Sequence, residues 1–178
     1  MTAILRPVTD ADLPALLEVN TAAVPAVNLI PAEELAALVA ESALALTVDD
    51  GTPAGLLIAL PPGLDYPSEN YTWFSRRAAA DGTDFLYVDR IVVAEHLRGA
   101  GAGRRLYERV FAAAAEQGRD EVLCEVNVQP PNPGSMRFHR GLGFEEVGRQ
   151  ATKGGAVEVA LLARVVAGGT PSPRGSEA

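Results

Sequence analysis

Arg98, Gly99, Ala100, Gly101, Ala102 and Gly103 form the stretch whose residue types could do chemistry most directly. Glycines let a backbone approach a ligand with no Cβ in the way. Where such a run opens a helix, unpaired N–H groups and the helix dipole favour an anion. The loop is therefore a place for a phosphate or pyrophosphate, with Arg98, Arg104 and Arg105 adding positive charge. Three loop patterns compete for it. A Walker A loop requires G-x-x-x-x-G-K-[ST], and Arg104-Arg105 stand where that pattern would continue. A dinucleotide fingerprint requires G-x-G-x-x-G in a first βα unit, whereas this run reads G-x-G-x-G in the middle of the chain. The third pattern, [Q/R]-x-x-G-x-[G/A], is met by Arg98, Gly101 and Gly103. The plain alternative is a glycine-rich turn that only joins a strand to a helix.

The loop needs a strand before it and a helix after it. Phe85 to Val93 (FLYVDRIVV) supplies the strand, being β-branched or aromatic almost throughout. A helix is predicted from about Gly101 to Gln117, with Leu106, Tyr107, Val110, Phe111 and Ala114 on its apolar face. Upstream, Ile4–Pro7 reads as a short strand and Thr9 as the cap of a helix with Asp12 at its third position. A second helix is predicted from about Pro31 to Val39. Ala43–Val48 and Ala54–Leu60 form a hairpin around Asp49-Asp50-Gly51. Pro61 to Gly82 is an excursion with part of Ser68–Ala80 helical, and long excursions in compact domains are often functional. Downstream follow a strand at Glu121–Val128, a rigid loop at 129–134 and a short helix at Ser135–Gly141. A closing hairpin, Phe144–Gln150 with Ala156–Val166, turns at Lys153-Gly154-Gly155. The fold class is α/β (α+β): a mixed, mostly antiparallel sheet of about 6–7 strands flanked by helices, one right-handed crossover running from Phe85–Val93 to Glu121–Val128. One domain is expected over residues 1–166, with a flexible tail over 167–178.

Composition narrows the partners. The 178 residues carry a formal net charge of −8, which argues against a nucleic-acid partner but not against a small anionic ligand held by local amides. No apolar run is long enough to span a bilayer, and the start lacks the pattern of a secretory signal. A single cysteine, Cys124 in the apolar run VLCEV, fits a reducing cytoplasm and a buried small hydrophobe. With two histidines, His96 and His139, no spacing resembles a metal site, and none is expected.

The segments IVVAEHLRGAGAGRRLYERV and VLCEVNVQPPNPGSMRFHRGLGFEEVG resemble the GCN5-related N-acetyltransferase superfamily. The second places Asn132, Ser135, Phe138-His139 and Gly143-Phe144 at the family's spacing, and the strand order extends the resemblance over roughly residues 1–166. It implies acetyl-CoA as cosubstrate, lying in a gap between splayed central strands. Backbone groups of Ile91, Val92 and Val93 would pair with the pantetheine arm, and an amide near Val92 or Val93 would polarise the thioester carbonyl. The amides of Arg98 to Gly103, with Arg104, would hold the pyrophosphate. Asn132 and Ser135 would line the cofactor's path.

Direct transfer requires a base for the amine and a proton for the departing thiolate. The resemblance places Glu125 at a strand position where relatives carry a base, the competing reading being a solvated strand residue. Asp89 is the second candidate base or an amine anchor, unless it merely pairs with Arg90. His139 departs from the pattern, standing where many members have a tyrosine as general acid. Histidine could still donate near neutral pH, and Ser135 or water is an alternative. Pro130-Pro131 alters the approach to Asn132. The excursion's aromatics, Tyr66, Tyr71, Trp73 and Phe74, are candidates to wall an acceptor pocket for an apolar or cationic amine, the last three as substrate contacts, or they cover the sheet. His96 reads as solvated. The activity implied is acetyl transfer to the primary amine of a small molecule, in the cytoplasm. A protein amine, a non-catalytic acyl-CoA-binding domain and a nucleotide-binding dinucleotide-fold enzyme are the rivals, and a homodimer is suggested at family level only.

Overall fold

The β-branched and aromatic run Phe85–Val93 forms the fourth of seven strands, at the centre of one sheet. In chain order the strands are β1 Ile4–Pro7, β2 Leu44–Asp49, β3 Pro53–Leu60, β4 Phe85–Val93, β5 Glu121–Gln129, β6 Glu145–Thr152 and β7 Val157–Val165. The helices are α1 Leu13–Ala22, α2 Ala32–Glu41, α3 Glu69–Asp81, α4 Ala102–Glu116 and α5 Pro133–Gly141. The computed structural model describes residues 3–166, and the expected tail at 167–178 lies outside the described residues. The sheet order is β1-β2-β3-β4-β5-β7-β6, with every neighbour antiparallel except the β4–β5 pair. The mixed, mostly antiparallel sheet expected from the sequence is the one observed.

Local chemistry explains most element ends. The Thr9 N–H and hydroxyl both donate to the Asp12 carboxylate, at 2.8 and 2.9 Å, and a short turn over Asp10–Asp12 leads into α1. In the excursion, Ser68 caps α3 by accepting the Tyr71 N–H at 3.2 Å, and Gly82 ends it at φ +67, where a side chain would be strained. α5 starts at Pro133, two residues before the Ser135 start expected. The Asn132 side chain caps it by accepting the Ser135 N–H at 3.1 Å.

The core has two faces. Leu106, Tyr107, Val110, Ala113 and Ala114 of α4 bury against one side of the sheet. Leu16, Leu35, Leu38, Tyr71, Phe74 and Ala78, from α1, α2 and α3, bury against the other. β7 enters between β5 and β6 because its VALLA run is buried, whereas EEVGRQ of β6 carries the polar residues that suit a sheet edge. Among the described residues, no helix is long and apolar enough to cross a membrane.

Candidate active site

The centre of the sheet is interrupted. β4 and β5 pair only from Phe85↔Glu121 to Tyr87↔Leu123. Beyond that point β4 follows β3 to Val93 and β5 follows β7 to Gln129, so a gap opens between them. β4 also slips register against β3 at Ile58/Ala59, which leaves Asp89 without a strand partner where the gap begins. Ala94 donates its N–H to Ala54 O at 2.8 Å. Backbone groups alternate sides along a strand, so Val92 faces β3 while Ile91 and Val93 turn N–H and C=O into the gap. This corrects the expectation for Val92: its amide serves the β3 ladder, and the amides offered to a ligand are those of Ile91 and Val93. The Val93 carbonyl accepts the Arg98 Nε–H at 3.1 Å.

At the α4 end of the gap, the amides of Gly101, Ala102, Gly103 and Arg104 have no backbone acceptor among the described residues. They are the free donors of a helix start. Gly99 and Gly101 hold φ of +78 and +82, and a Cβ on either would meet nothing within 4 Å. Both glycines thus leave open space in front of the free amides, as an anion cradle requires. Gly103 differs: a Cβ there would lie 3.1 Å from Phe138 Cζ, so its smallness lets α4 pack on α5. A groove of about 610 Å³ runs along these residues, lined by Ile91, Val92, Val93, Arg98, Gly99, Gly101, Ala102, Gly103, Arg104, Asn132 and Ser135. Ala100 lies in the same loop with its N–H directed to Leu97 O. The free strand edge and the free amides at the helix start fit a cosubstrate with an amide-rich arm and a pyrophosphate. Asn132 borders the groove, but its Oδ1 is committed to capping α5, leaving the Nδ2 group as its donor.

A second cavity of about 400 Å³ meets the groove, sharing Ala26, Val27, Ile91, Asn132, Ser135 and His139 with it. Its walls come from the loop between α1 and α2, from Asn70 at the start of α3, and from Thr152, Lys153 and Val157 at the β6–β7 turn. Glu125 lies in its wall. The Tyr87 hydroxyl donates to the Glu125 carboxylate, 2.8 and 3.0 Å from its two oxygens. Burial, seconded by the charge of Asp89, pushes the Glu125 carboxyl up to about 7. Glu125 is thus a half-buried, hydrogen-bonded group and not a solvated strand residue. Asp89 accepts the Arg90 Nε–H at 3.0 Å and the Tyr66 hydroxyl at 2.5 Å. The pairing with Arg90 weighed from the sequence is therefore present. Buried Arg90 also donates to Asn20 Oδ1 at 2.8 Å, and Asn20 donates to Asn28 O at 3.2 Å, tying the α1–α2 loop to the same network.

His139 is buried and both ring nitrogens are occupied. Nδ1 lies 2.8 Å from the Ser135 carbonyl oxygen, which can only accept, so Nδ1 carries the proton. Nε2, 2.8 Å from the Tyr107 hydroxyl, then accepts that O–H. Burial also moves the imidazole below its ordinary value, so at neutral pH the ring is uncharged. A direct proton donation from His139, as expected by position, meets a ring with no free N–H. Three of the four aromatics offered as acceptor walls are displaced likewise. Tyr71 and Phe74 are buried in the core at 3% and 0% exposure, and Trp73 packs on Gly148, where a Cβ would come within 2.6 Å of the indole. Residues i and i+3 of α3 face the sheet, which leaves Asn70 at the cavity, while Tyr66, ahead of the helix, reaches Asp89 with its hydroxyl. His96 is exposed, as read, with Nε2 2.7 Å from Asp50 Oδ2. Tyr66 lies beside Asp89 as a pocket aromatic should, whereas Asn70, Tyr87, Arg90, Tyr107 and Lys153 carried no site role in the sequence. Only Tyr87 left a usable signal, being two residues before Asp89 on the strand with Glu125 two residues beyond its register partner Leu123.

Comparison with known proteins agrees with this geometry. The family model described as "Acetyltransferase (GNAT) family" matches residues 15–144. Ard1 from Thermoplasma volcanium superposes with a TM-score of 0.74 at 15% identity, covering 94% of this chain and 99% of that one. Arabidopsis thaliana NAA60, solved with acetyl-CoA, gives 0.74 at 17% identity, covering 93% and 100%. The ribosomal-protein-alanine N-acetyltransferase of Brucella melitensis gives 0.69 at 22% identity, covering 92% and 99%. No curated protein matches the chain. With the family model spanning most of the chain, and a splayed β4–β5 pair leading to a helix start with free amides, the chain belongs to the acetyltransferase (GNAT) family and is an acetyl-CoA-dependent acetyltransferase.

Proposed function

We propose that this acetyltransferase moves the acetyl group directly to the primary amine of a small molecule. The junction of the two cavities carries the reading: the free β4 edge and the Glu125 carboxyl border adjoining spaces at one gap. Acetyl-CoA supplies an activated thioester when bound. The Ile91 and Val93 backbone would hold the pantetheine arm as a neighbouring strand does, and the amides of Gly101 to Arg104 would hold the pyrophosphate. The Val93 or Ile91 N–H would donate to the thioester oxygen as negative charge builds there. Glu125, with a carboxyl near 7, takes the proton of the attacking ammonium at neutral pH. Tyr87 holds that carboxylate in place. An ordinary thiol has a pKa of about 8.5, so the departing thiolate needs little more than a hydrogen-bond donor. The Ser135 hydroxyl, lining both cavities, supplies it.

A small acceptor is supported by the excursion. Glu69 of α3 accepts the Lys153 N–H at 3.2 Å, and Asn70 accepts the Gln150 side-chain N–H at 3.0 Å. The inserted helix is thus stapled to the end of β6 and the turn after it, and bounds the second cavity where Asn70, Thr152 and Lys153 line it. Free thiol released from acetyl-CoA, followed with small amines and with peptides bearing a free N-terminus, tests this. Amine-dependent release favouring small amines is the expected result. Release with peptides alone would transfer the reading to a protein amine, and none with any acceptor despite CoA binding would make this a binding domain.

A further inference from the structure

The charge lining of the acceptor chamber carries information about the acceptor beyond its amine. Four side chains of opposite sign line it: Asp89, Arg90, Glu125 and Lys153. Asp89 and Arg90 cancel as an ion pair at 3.0 Å, with side chains only 6% and 3% exposed. That leaves one acid, Glu125, beside the gap, and one cation, Lys153, an exposed residue of the cavity lining at the β6–β7 turn. Among the described residues Lys153 has no ion-pair partner, although acidic Glu69 and Glu158 belong to neighbouring elements. Its backbone is also fixed in an unusual way. Lys153 is the only non-glycine with positive φ among the described residues, at +52, and its N–H is held by the Glu69 carboxylate at 3.2 Å. The left-handed region is unfavourable for a side-chain-bearing residue, and two glycines follow that would take it freely. A lysine is kept in a conformation suited to glycine, at the edge of a cavity with one unpaired acid deeper in.

We propose that the acceptor is a small amine that also carries an anionic group, a free amino acid being its simplest form, with the amine at Glu125 and the anion on Lys153. The inference rests on the small-amine reading above. A simple cationic amine would pass Lys153 with like-charge repulsion and leave that ammonium without a partner. A peptide N-terminus lacks a carboxylate next to its amine, so Lys153 also separates free amino acids from peptide ends. The chamber, at about 400 Å³, takes a molecule of amino-acid size.

The test compares amino acids with their own carboxamides, which keep shape and amine but lose the negative charge. Free thiol release from acetyl-CoA gives kcat/KM for each pair, with the intact enzyme and with Lys153→Gln and Lys153→Arg variants. The expected result is an acid-over-amide preference of about tenfold or more, as charge-assisted hydrogen bonds give. That ratio falls about tenfold in Lys153→Gln and is retained in Lys153→Arg. Gln keeps the Cβ and an unbranched polar side chain, one atom shorter, so the turn's backbone demand is unaltered. Amides used as well as the acids, or a ratio unmoved in Lys153→Gln, overturns the assignment to Lys153 while acetyl transfer to small amines stands. Absence of turnover with every pair, with CoA still bound, overturns the small-amine reading and this inference with it.

Discussion

Replacing Glu125 by Gln should slow the enzyme and stabilise it, and the two effects share one cause. The carboxyl is displaced from an ordinary 4.5 to about 7, chiefly by burial and secondly by Asp89. That displacement corresponds to about 3 kcal/mol of differential interaction, reduced toward about 1 kcal/mol to the extent that cavity water reaches the group. The sign follows from proton binding. Between 4.5 and about 7 the folded protein holds a proton that the unfolded chain has released, so stability falls as pH rises through that window. Gln has no proton to lose and still accepts from Tyr87. The variant should therefore match the wild type near pH 5 and exceed it by about 1–3 kcal/mol near pH 8, a rise in Tm of several degrees. Activity moves the other way, by about 10²–10⁴-fold in kcat/KM, because the proposed base is gone. Wild-type kcat/KM should rise with pH through about 7, an inflection the variant loses while the acceptor amine's own titration remains. Thermal unfolding at pH 5 and 8, with pH–rate profiles of both proteins, measures all of this. An equal Tm difference at both pH values, or the same inflection in both proteins, would refute the reasoning.

Further predictions concern neighbouring groups. Tyr87→Phe removes the hydroxyl that favours the charged Glu125 carboxylate, so the pH–rate inflection should move to higher pH, read in the same profile. His139→Phe takes from the Tyr107 hydroxyl its imidazole acceptor, leaving only the weakly accepting Cys124 sulfur beside it, and should cost about 1–3 kcal/mol in denaturant unfolding. Turnover should survive in it far better than in Glu125→Gln, since the ring has no free N–H. Gly101→Val should weaken CoA binding in calorimetry, with some loss of stability as well because Gly101 holds φ +82. Stabilisation in thermal shifts is expected with CoA and not with NAD or ATP.

The central sheet and the anion loop were legible because their signals are local. Phe85–Val93 is β-branched or aromatic at six of its nine positions, and the glycines from Gly99 to Gly103 mark where a backbone must bend or approach a ligand. Glu125 and Asp89 were legible only through the resemblance, since a carboxylate in a strand reads equally as solvated. What escaped depends on long-range pairing. The occupation of His139 comes from Tyr107, on α4 and 32 residues away, and α4 periodicity marks Tyr107 only as core. Tyr71, Trp73 and Phe74 read as pocket walls because aromatics in an excursion suggest one. The helical phase of α3 instead sends Tyr71 and Phe74 under the sheet and leaves Asn70 at the cavity. Insertion of β7 between β5 and β6 follows from the buried VALLA run, a contrast with β6 that single-strand patterns did not rank.

A single-turnover chase most directly tests acetyl transfer through the gap between β4 and β5. The enzyme is loaded with acetyl-CoA labelled in its acetyl group, mixed with a small amine, and quenched over time. Direct transfer predicts that label leaves CoA at the rate it appears on the amine, with no labelled protein at any time and with transfer lost in Glu125→Gln. Label accumulating on the protein before the amine, or leaving CoA as free acetate at a rate indifferent to the amine, would contradict the account.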